Sequence, residues 1–269
     1  MIEEKTKIEG LTIGYRAFGS FPEALEGRSI LVLHGWGVGS RSWVEFGELM
    51  AKAGYRVIVP DLPGFGQSQE PKTPWYFDDY IRFVEQFCAA MKLDKFYLIG
   101  HSFGGALACK FAATHPEMVE KLVLCDAAII RKERLDWRQQ YAKKMAAFKH
   151  RLLELPFAGG IYPLAKKILY KFVGSRDYEL ASPVMKETFK MVLATDTLEY
   201  ARKLAVPTLV VWGDQDKSTP VEDAYELNKE IPGSVLWIIP GAGHKVHRTH
   251  AHQLAEAVNR FLADKSCVR

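Results

Sequence analysis

The chain has 269 residues, 48% of them hydrophobic and 25% charged, with a formal net charge of +4. That length supports one large α/β domain, or one domain with a modest insertion, and the composition is that of a folded globular protein rather than a disordered chain. The charges are mixed along the sequence instead of gathered into one basic tract, which argues against nucleic acid as a partner.

The N-terminal Met1-Ile2-Glu3-Glu4-Lys5 lacks the apolar stretch of a secretory signal, and no run approaches the ~20 apolar residues of a transmembrane helix. Four cysteines, Cys88, Cys109, Cys125 and Cys267, form no C-x-x-C pair and no metal-ligand spacing. A cytoplasmic protein with free thiols is expected.

Lys7 to Phe18 fits two short strands around Gly10. Ile30-Leu31-Val32-Leu33 is a continuous apolar run, as in a parallel strand covered on both faces. It ends in His34-Gly35-Trp36-Gly37, where a Gly-rich turn can aim backbone N–H groups into a site or simply reverse the chain. The spacing Gly35-x-Gly37-x-Gly39 is wrong for a dinucleotide loop, and no Lys-Ser/Thr follows for a phosphate loop. A helix over 42–53, a strand over 56–59 and a turn-rich run from Pro60 to Ser68 come next. Asp61 in that run more readily fixes the backbone through its own hydrogen bonds than takes part in chemistry. Over 78–91, Tyr80, Phe83, Val84, Phe87 and Met91 recur at helical spacing and face a core.

The run Phe96-Tyr97-Leu98-Ile99 leads into Gly100-His101-Ser102-Phe103-Gly104-Gly105, and an Ala-rich helical pattern over 106–114 leaves it. This is the strand, sharp turn and helix that Gly-x-Ser-x-Gly requires: the turn lifts the serine clear of the sheet, and the glycines remove Cβ atoms where strand and helix come close. A serine hydroxyl is a poor nucleophile at neutral pH. The chain must therefore also supply a base, an orienter for that base, and donors for an oxyanion.

A strand over 121–125 follows, and then the rhythm breaks. From Arg131 to about Arg202 only helical patterns are predicted, over 131–155, 162–173 and 182–195. Lys143, Lys144, Lys149, Lys166 and Lys167 are interleaved there with aromatic residues such as Trp137, Tyr141, Tyr170 and Phe189. We expect a helical cap over 127–202, inserted between core segments 1–126 and 203–269, with its charges solvated and part of its aromatic face meeting the site. Alternation resumes with a strand over 207–212 running into Gly213-Asp214-Gln215-Asp216, a helix over 221–229, and a strand over 235–239 followed by Pro240-Gly241-Ala242-Gly243-His244. A last helix covers 253–263. Strands alternating with helices predict an α/β fold, a doubly wound and mostly parallel sheet. Ser102, Asp216 and His244 each sit just past a strand's C-terminal end, so such a sheet gathers them along one edge.

With the His-Gly loop at His34, the Asp61 to Ser68 run, the Ser102 elbow, the Asp216 turn and Gly243-His244 in this order, the chain resembles the α/β-hydrolase family from about Ser29 to Leu262. The resemblance is to its cap-bearing, serine-esterase-like members. It implies Ser102 as nucleophile, His244 as general base and then acid, and Asp216 as the carboxylate that holds the imidazole tautomer. Asp214 and Asp126 stay open as alternative orienters. It also implies an oxyanion hole from the backbone N–H groups of Trp36 and Phe103, with Trp36, His101 and Phe103 as substrate contacts and a packing role for His101 equally open. His247, His250 and His252 read as solvated residues near a helix start rather than metal ligands, and no metal or organic cofactor is expected. The implied activity is cleavage of carboxylic esters through an acyl-enzyme, with a small-molecule ester as partner and a monomer or small homo-oligomer as the working form. A C–C bond hydrolase or perhydrolase on the same triad, or a slow-turnover ligand sensor, is the alternative.

Overall fold

The computed structural model describes residues 1–19, 28–130 and 181–264. Among them, eight strands form one sheet: β1 (Ile2–Ile8), β2 (Leu11–Phe18), β3 (Ser29–Leu33), β4 (Arg56–Pro60), β5 (Phe96–His101), β6 (Val119–Cys125), β7 (Thr208–Gly213) and β8 (Val235–Ile239). Their order is β1-β2-β4-β3-β5-β6-β7-β8. β1 pairs antiparallel with β2, and β2 with β4, while every pairing from β4 to β8 is parallel. The fold is the expected doubly wound, mostly parallel sheet.

Strands β3, β5 and β7 are buried along their whole length, which is why they read as unbroken apolar runs. The period of two sends alternate side chains to opposite faces. Leu31, Leu33, Leu98, Leu122 and Leu124 share one core with α2 (Phe77–Ala90) and α3 (Phe103–Thr114). Ile30, Val32, Ile99, Val123 and Val211 share the other with Trp43, Phe46, Leu254 and Val258. Here a short 3-10 turn, Ser40–Trp43, precedes α1 (Val44–Lys52).

Lys121 lies within β6 yet is 1% exposed. Its ammonium donates to the carbonyls of Phe261, Leu262 and Asp264 at 2.9, 3.2 and 2.6 Å. These are the carbonyls that the end of the last helix leaves without intrahelical partners, and a cation is favoured there.

Of the expected cap, residues 131–180 lie outside the described residues, and with them the helices expected over 131–155 and 162–173. The remainder contains α4 (Pro183–Leu193), close to the expected helix over 182–195, and the short α5 (Leu198–Ala201). Ser182 caps α4 by accepting from the Met185 N–H at 3.1 Å, and Pro183 fills the first helical position. The helix is fastened to the segment after β4. Trp75 N–H donates to Thr188 Oγ1 at 2.9 Å, Ser182 Oγ donates to Glu70 at 2.5 Å, and the Met185 side chain lies over Gly64.

After β3 the chain moves outward to β4, then returns to place β5 on the other flank of β3. Loops leaving β3 and β5 diverge at such a reversal and open a crevice above the strand ends. Helices α6 (Val221–Glu230), α7 (Val246–Thr249) and α8 (Ala251–Ala263) complete the described core. No described helix is long and apolar enough to cross a membrane.

Candidate active site

Ser102 follows β5 directly, with φ 52° and ψ −118°. A non-glycine residue in such a conformation costs about 1–3 kcal/mol and persists only where its surroundings enforce it. Here the Ser102 N–H donates to the Cys125 carbonyl at 3.1 Å, and its own carbonyl accepts from Gly105, Ala106 and Ala128 at 2.9, 3.2 and 3.0 Å. A Cβ on Gly100 would stand 2.6 Å from that of Ala108, and one on Gly104 would strike the Leu33 carbonyl. Strand and helix meet so closely only because both positions are glycine.

The structure brings Ser102, His244 and Asp216 together. His244 Nε2 lies 3.1 Å from Ser102 Oγ, and its Nδ1 lies 2.7 Å from Asp216 Oδ2. Asp216 has every direction occupied: Oδ1 accepts from the N–H groups of Ser218 and Thr219 at 2.7 and 3.0 Å, and Oδ2 accepts from Thr219 Oγ1 at 2.7 Å. Burial alone would raise its pKa. The hydrogen bond and charge of His244, with the hydrogen bonds from Thr219, outweigh burial and hold the carboxyl below its ordinary value.

Thr219 was not singled out from the sequence. Its hydroxyl also lies 3.2 Å from His244 Nδ1, and Trp212 Nε1 donates to its carbonyl at 2.8 Å. The available signal was local: an aspartate followed two and three residues later by Ser218 and Thr219 is a turn in which the carboxylate collects its own neighbours' N–H groups. Of the two alternative orienters, Asp214 accepts from the Gly241 N–H at 2.7 Å and so braces the loop ahead of His244. Asp126 is fully buried at the end of β6, accepting from the Gly213 N–H at 3.0 Å.

Asp61 fixes backbone, as expected from its turn: Oδ1 accepts from Ser40 N–H at 2.5 Å and Oδ2 from Gln67 N–H at 2.9 Å. His34 spans the two loops. Leu62 N–H donates to its Nε2 at 2.8 Å, so Nδ1 carries the proton and donates to the Gly35 carbonyl at 2.8 Å. Burial depresses its pKa, which keeps the ring neutral in this role.

Of two buried histidines, His101 takes the packing role that was left open for it, and His247 departs from expectation. His101, a candidate substrate contact, is 3% exposed. Its Nε2 lies 2.7 Å from the His244 carbonyl, so it braces the loop that carries His244 rather than facing a ligand. His247 is not solvated but 1% exposed, stacked on Trp43 at 4.6 Å and lying 4.4 Å from the His101 ring. The reason is α7, a single turn ahead of the last helix that rolls residues 246 and 247 inward; the sequence pattern had the helical region start only at Gln253. Burial first, then the charges of His244 and neighbouring cations, push the His247 pKa down to about 3. For His101, burial followed by the charges of His247 and His244 pushes it well below the usual histidine value. His250 is half-buried and His252 exposed.

On the other flank of Ser102 stands a group of rings. Trp36 meets Phe65, Phe103 and Phe189 at centroid distances of 4.8, 5.4 and 4.9 Å, and Phe103 packs on Tyr80 at 5.3 Å. Through Phe189, α4 contributes to this wall. Phe103 is also the first residue of α3, where backbone N–H groups have no intrahelical acceptor. His101, Asp126 and His244 each bring one nitrogen or oxygen within 4.8 Å of the others. His101 Nε2 and both His244 nitrogens are already hydrogen-bonded as described, which is the pattern of a braced histidine loop rather than of a ligand set.

The alpha/beta hydrolase fold family matches residues 28–251. The 2-hydroxy-6-oxo-6-(2'-aminophenyl)hexa-2,4-dienoic acid hydrolase of Metapseudomonas resinovorans is 32% identical to this chain, covering 91% of it and 87% of the relative. A solved serine hydrolase involved in carbazole degradation superposes with a TM-score of 0.71 at 27% identity, covering 97% of this chain and 98% of the other. Bromoperoxidase from Bacillus anthracis superposes with a TM-score of 0.72 at 25% identity, covering 98% of this chain and 100% of its own.

Proposed function

This chain belongs to the alpha/beta hydrolase fold family, and within that family we propose a serine hydrolase in which Ser102 attacks a carbonyl carbon. The supporting observation is the hydrogen-bonded line from Ser102 Oγ through His244 to Asp216, at 3.1 and 2.7 Å. His244 takes the Ser102 proton and returns it to the leaving group, while Asp216 holds the tautomer with hydrogen on Nδ1. Negative charge on the carbonyl oxygen falls to the N–H groups of Trp36 and Phe103, the latter at the positive end of α3. Loss of one such donor costs about 3 kcal/mol in the barrier.

For the substrate, the 32% identity to the Metapseudomonas resinovorans dienoic acid hydrolase supports C–C bond cleavage in an acidic, aryl-bearing ketone. Attack at the ketone carbon leaves an acyl group on Ser102 only if the departing carbon can carry the electron pair. In a 2-hydroxy-6-oxo-dienoate the enol proton first moves to the carbon beside the ketone, which becomes sp3. The electron pair of the broken C–C bond then passes through the conjugated chain onto the C2 carbonyl as a dienolate, which takes the proton that His244 received from Ser102. Water releases the acyl group as a carboxylic acid, so one water is consumed and one C–C bond is lost. The rings of Trp36, Phe103 and Phe189 suit the aryl end.

Carboxylic ester cleavage is the second reading, favoured by the same wall: its rings are uncharged and would equally receive an apolar acyl chain. The test is steady-state turnover of 2-hydroxy-6-oxo-6-phenylhexa-2,4-dienoate against a nitrophenyl ester series, acetyl to decanoyl, by wild type and Ser102→Ala. A higher kcat/KM on the dienoate, lost in Ser102→Ala, is expected. A best ester that outruns the dienoate moves the ester reading to the front, and activity indifferent to Ser102→Ala overturns both.

A further inference from the structure

We propose that Asp126 is a positioning residue for His244: a second, buried carboxylate that shares with Asp216 the support of the imidazolium formed during turnover. The proposal rests on the serine hydrolase reading. Asp126 sits at the end of β6 with φ 45°, a conformation that a side-chain-bearing residue adopts only when held there. The hold is visible. Its N–H donates to the Val211 carbonyl at 3.0 Å, and its carbonyl lies 3.2 Å from Thr219 Oγ1. Its side chain accepts from the Gly213 N–H at 3.0 Å. That donor belongs to the strand end that leads to Asp216, and the N–H of Val246, two residues past His244, also faces the carboxylate. The carboxylate therefore sits between the two segments whose relative placement sets the His244 to Asp216 contact.

Its charge faces the same place. A carboxylate oxygen of Asp126 lies within 4.8 Å of ring nitrogens of both His244 and His101, and Oδ2 is 3.9 Å from His101 Nε2. The titratable groups around it are His244 from the loop after β8, Asp216 from the loop after β7, His101 from β5, and the Cys125 thiol of its own strand at 4.0 Å. Accepting a backbone hydrogen bond needs only an oxygen, which an asparagine would supply; a carboxylate adds charge. Burial first, and then the charge of Asp216, push its pKa up to about 7, against the hydrogen bonds from Gly213 and Val246 and the charge of His244. The second carboxylate is thus neutral in acid and charged in base, which gives the role a signature in pH.

The experiment is the pH dependence of kcat/KM on p-nitrophenyl acetate for wild type, Asp216→Asn, Asp126→Asn and the double variant, with Ser102→Ala alongside. Asp216→Asn is expected to lose less than the roughly 10⁴-fold that removal of a sole orienting carboxylate costs. The double variant should fall a further tenfold or so, and its acid limb should lie at lower pH than that of Asp216→Asn, because a carboxylate that favours the imidazolium has been removed. A double variant as active as Asp216→Asn, with its acid limb unmoved, overturns the proposal. If Asp126→Asn has no cooperative thermal transition, Asp126→Ser, which keeps an oxygen for the Gly213 N–H, takes its place alone and with Asp216→Asn, and the same two outcomes decide. Activity that survives Ser102→Ala removes the hydrolase reading and this proposal with it, whereas the other failures remove this proposal only.

Discussion

The two flanks of Ser102 are built from different contacts. On one, His244, Asp216 and Thr219 are joined by hydrogen bonds of 2.7 to 3.2 Å. On the other, Trp36, Phe65, Phe103 and Phe189 meet ring to ring. Hydrogen bonds are directional and lose most of their value when bent, so the first flank has one working geometry. Ring contacts tolerate offsets and changes of size. Under the proposed hydrolase reading, the reaction and the choice of substrate fall to separable parts of the site, one rigid and polar, the other adaptable and apolar.

That division can be broken by substitution. The largest effect is expected from His244→Ala, with kcat falling roughly 10⁶-fold on every substrate, as measured by single-turnover kinetics. Thr219→Val removes a donor to Asp216 and a neighbour of His244. It should lower kcat about tenfold, by the same factor for short and long acyl groups. A factor that instead depends on acyl length would place Thr219 on the wrong side of the division. Phe189→Ala should do the reverse, raising KM for aryl or long-acyl substrates roughly two- to tenfold and affecting the acetyl ester less. Equal losses across the series would show that α4 bears on the chemistry and not on selection.

The smallest change concerns stability in acid. His247 has its pKa depressed to about 3 in the fold, below the roughly 6.5 of an unfolded chain. The unfolded state therefore takes up the proton first, and stability is lost as pH falls from about 6.5 toward 3. His101 acts with the same sign, while Asp126, raised to about 7, acts oppositely by losing stability as pH rises from about 4. His247→Phe keeps a ring on Trp43 and removes the ionisation. Its acid-unfolding midpoint, followed by circular dichroism, should move to lower pH; an unmoved midpoint would mean that His247 does not report the burial of the histidine loop.

Much of this molecule was legible in its sequence because the relevant signals are local. Unbroken apolar runs marked β3, β5 and β7, since a strand covered on both faces has no polar side to show. Gly100 and Gly104 marked the elbow, since only glycine permits that approach of strand and helix. The placement of Ser102, Asp216 and His244 after strand ends followed from parallel alternation alone. Strand ends alone left Asp126, Asp214 and Asp216 open, because all three follow strands; the family resemblance pointed to Asp216, and the packing of the loops after β6, β7 and β8 is what brings it to 2.7 Å from the imidazole. Nor could it show that His101 and His247 are buried, that Lys121 closes the last helix, or that Thr219 joins the carboxylate to the histidine. Those facts depend on contacts between residues 3 to 146 positions apart, and a hydrogen bond across the sheet leaves no period in the chain from which to read it.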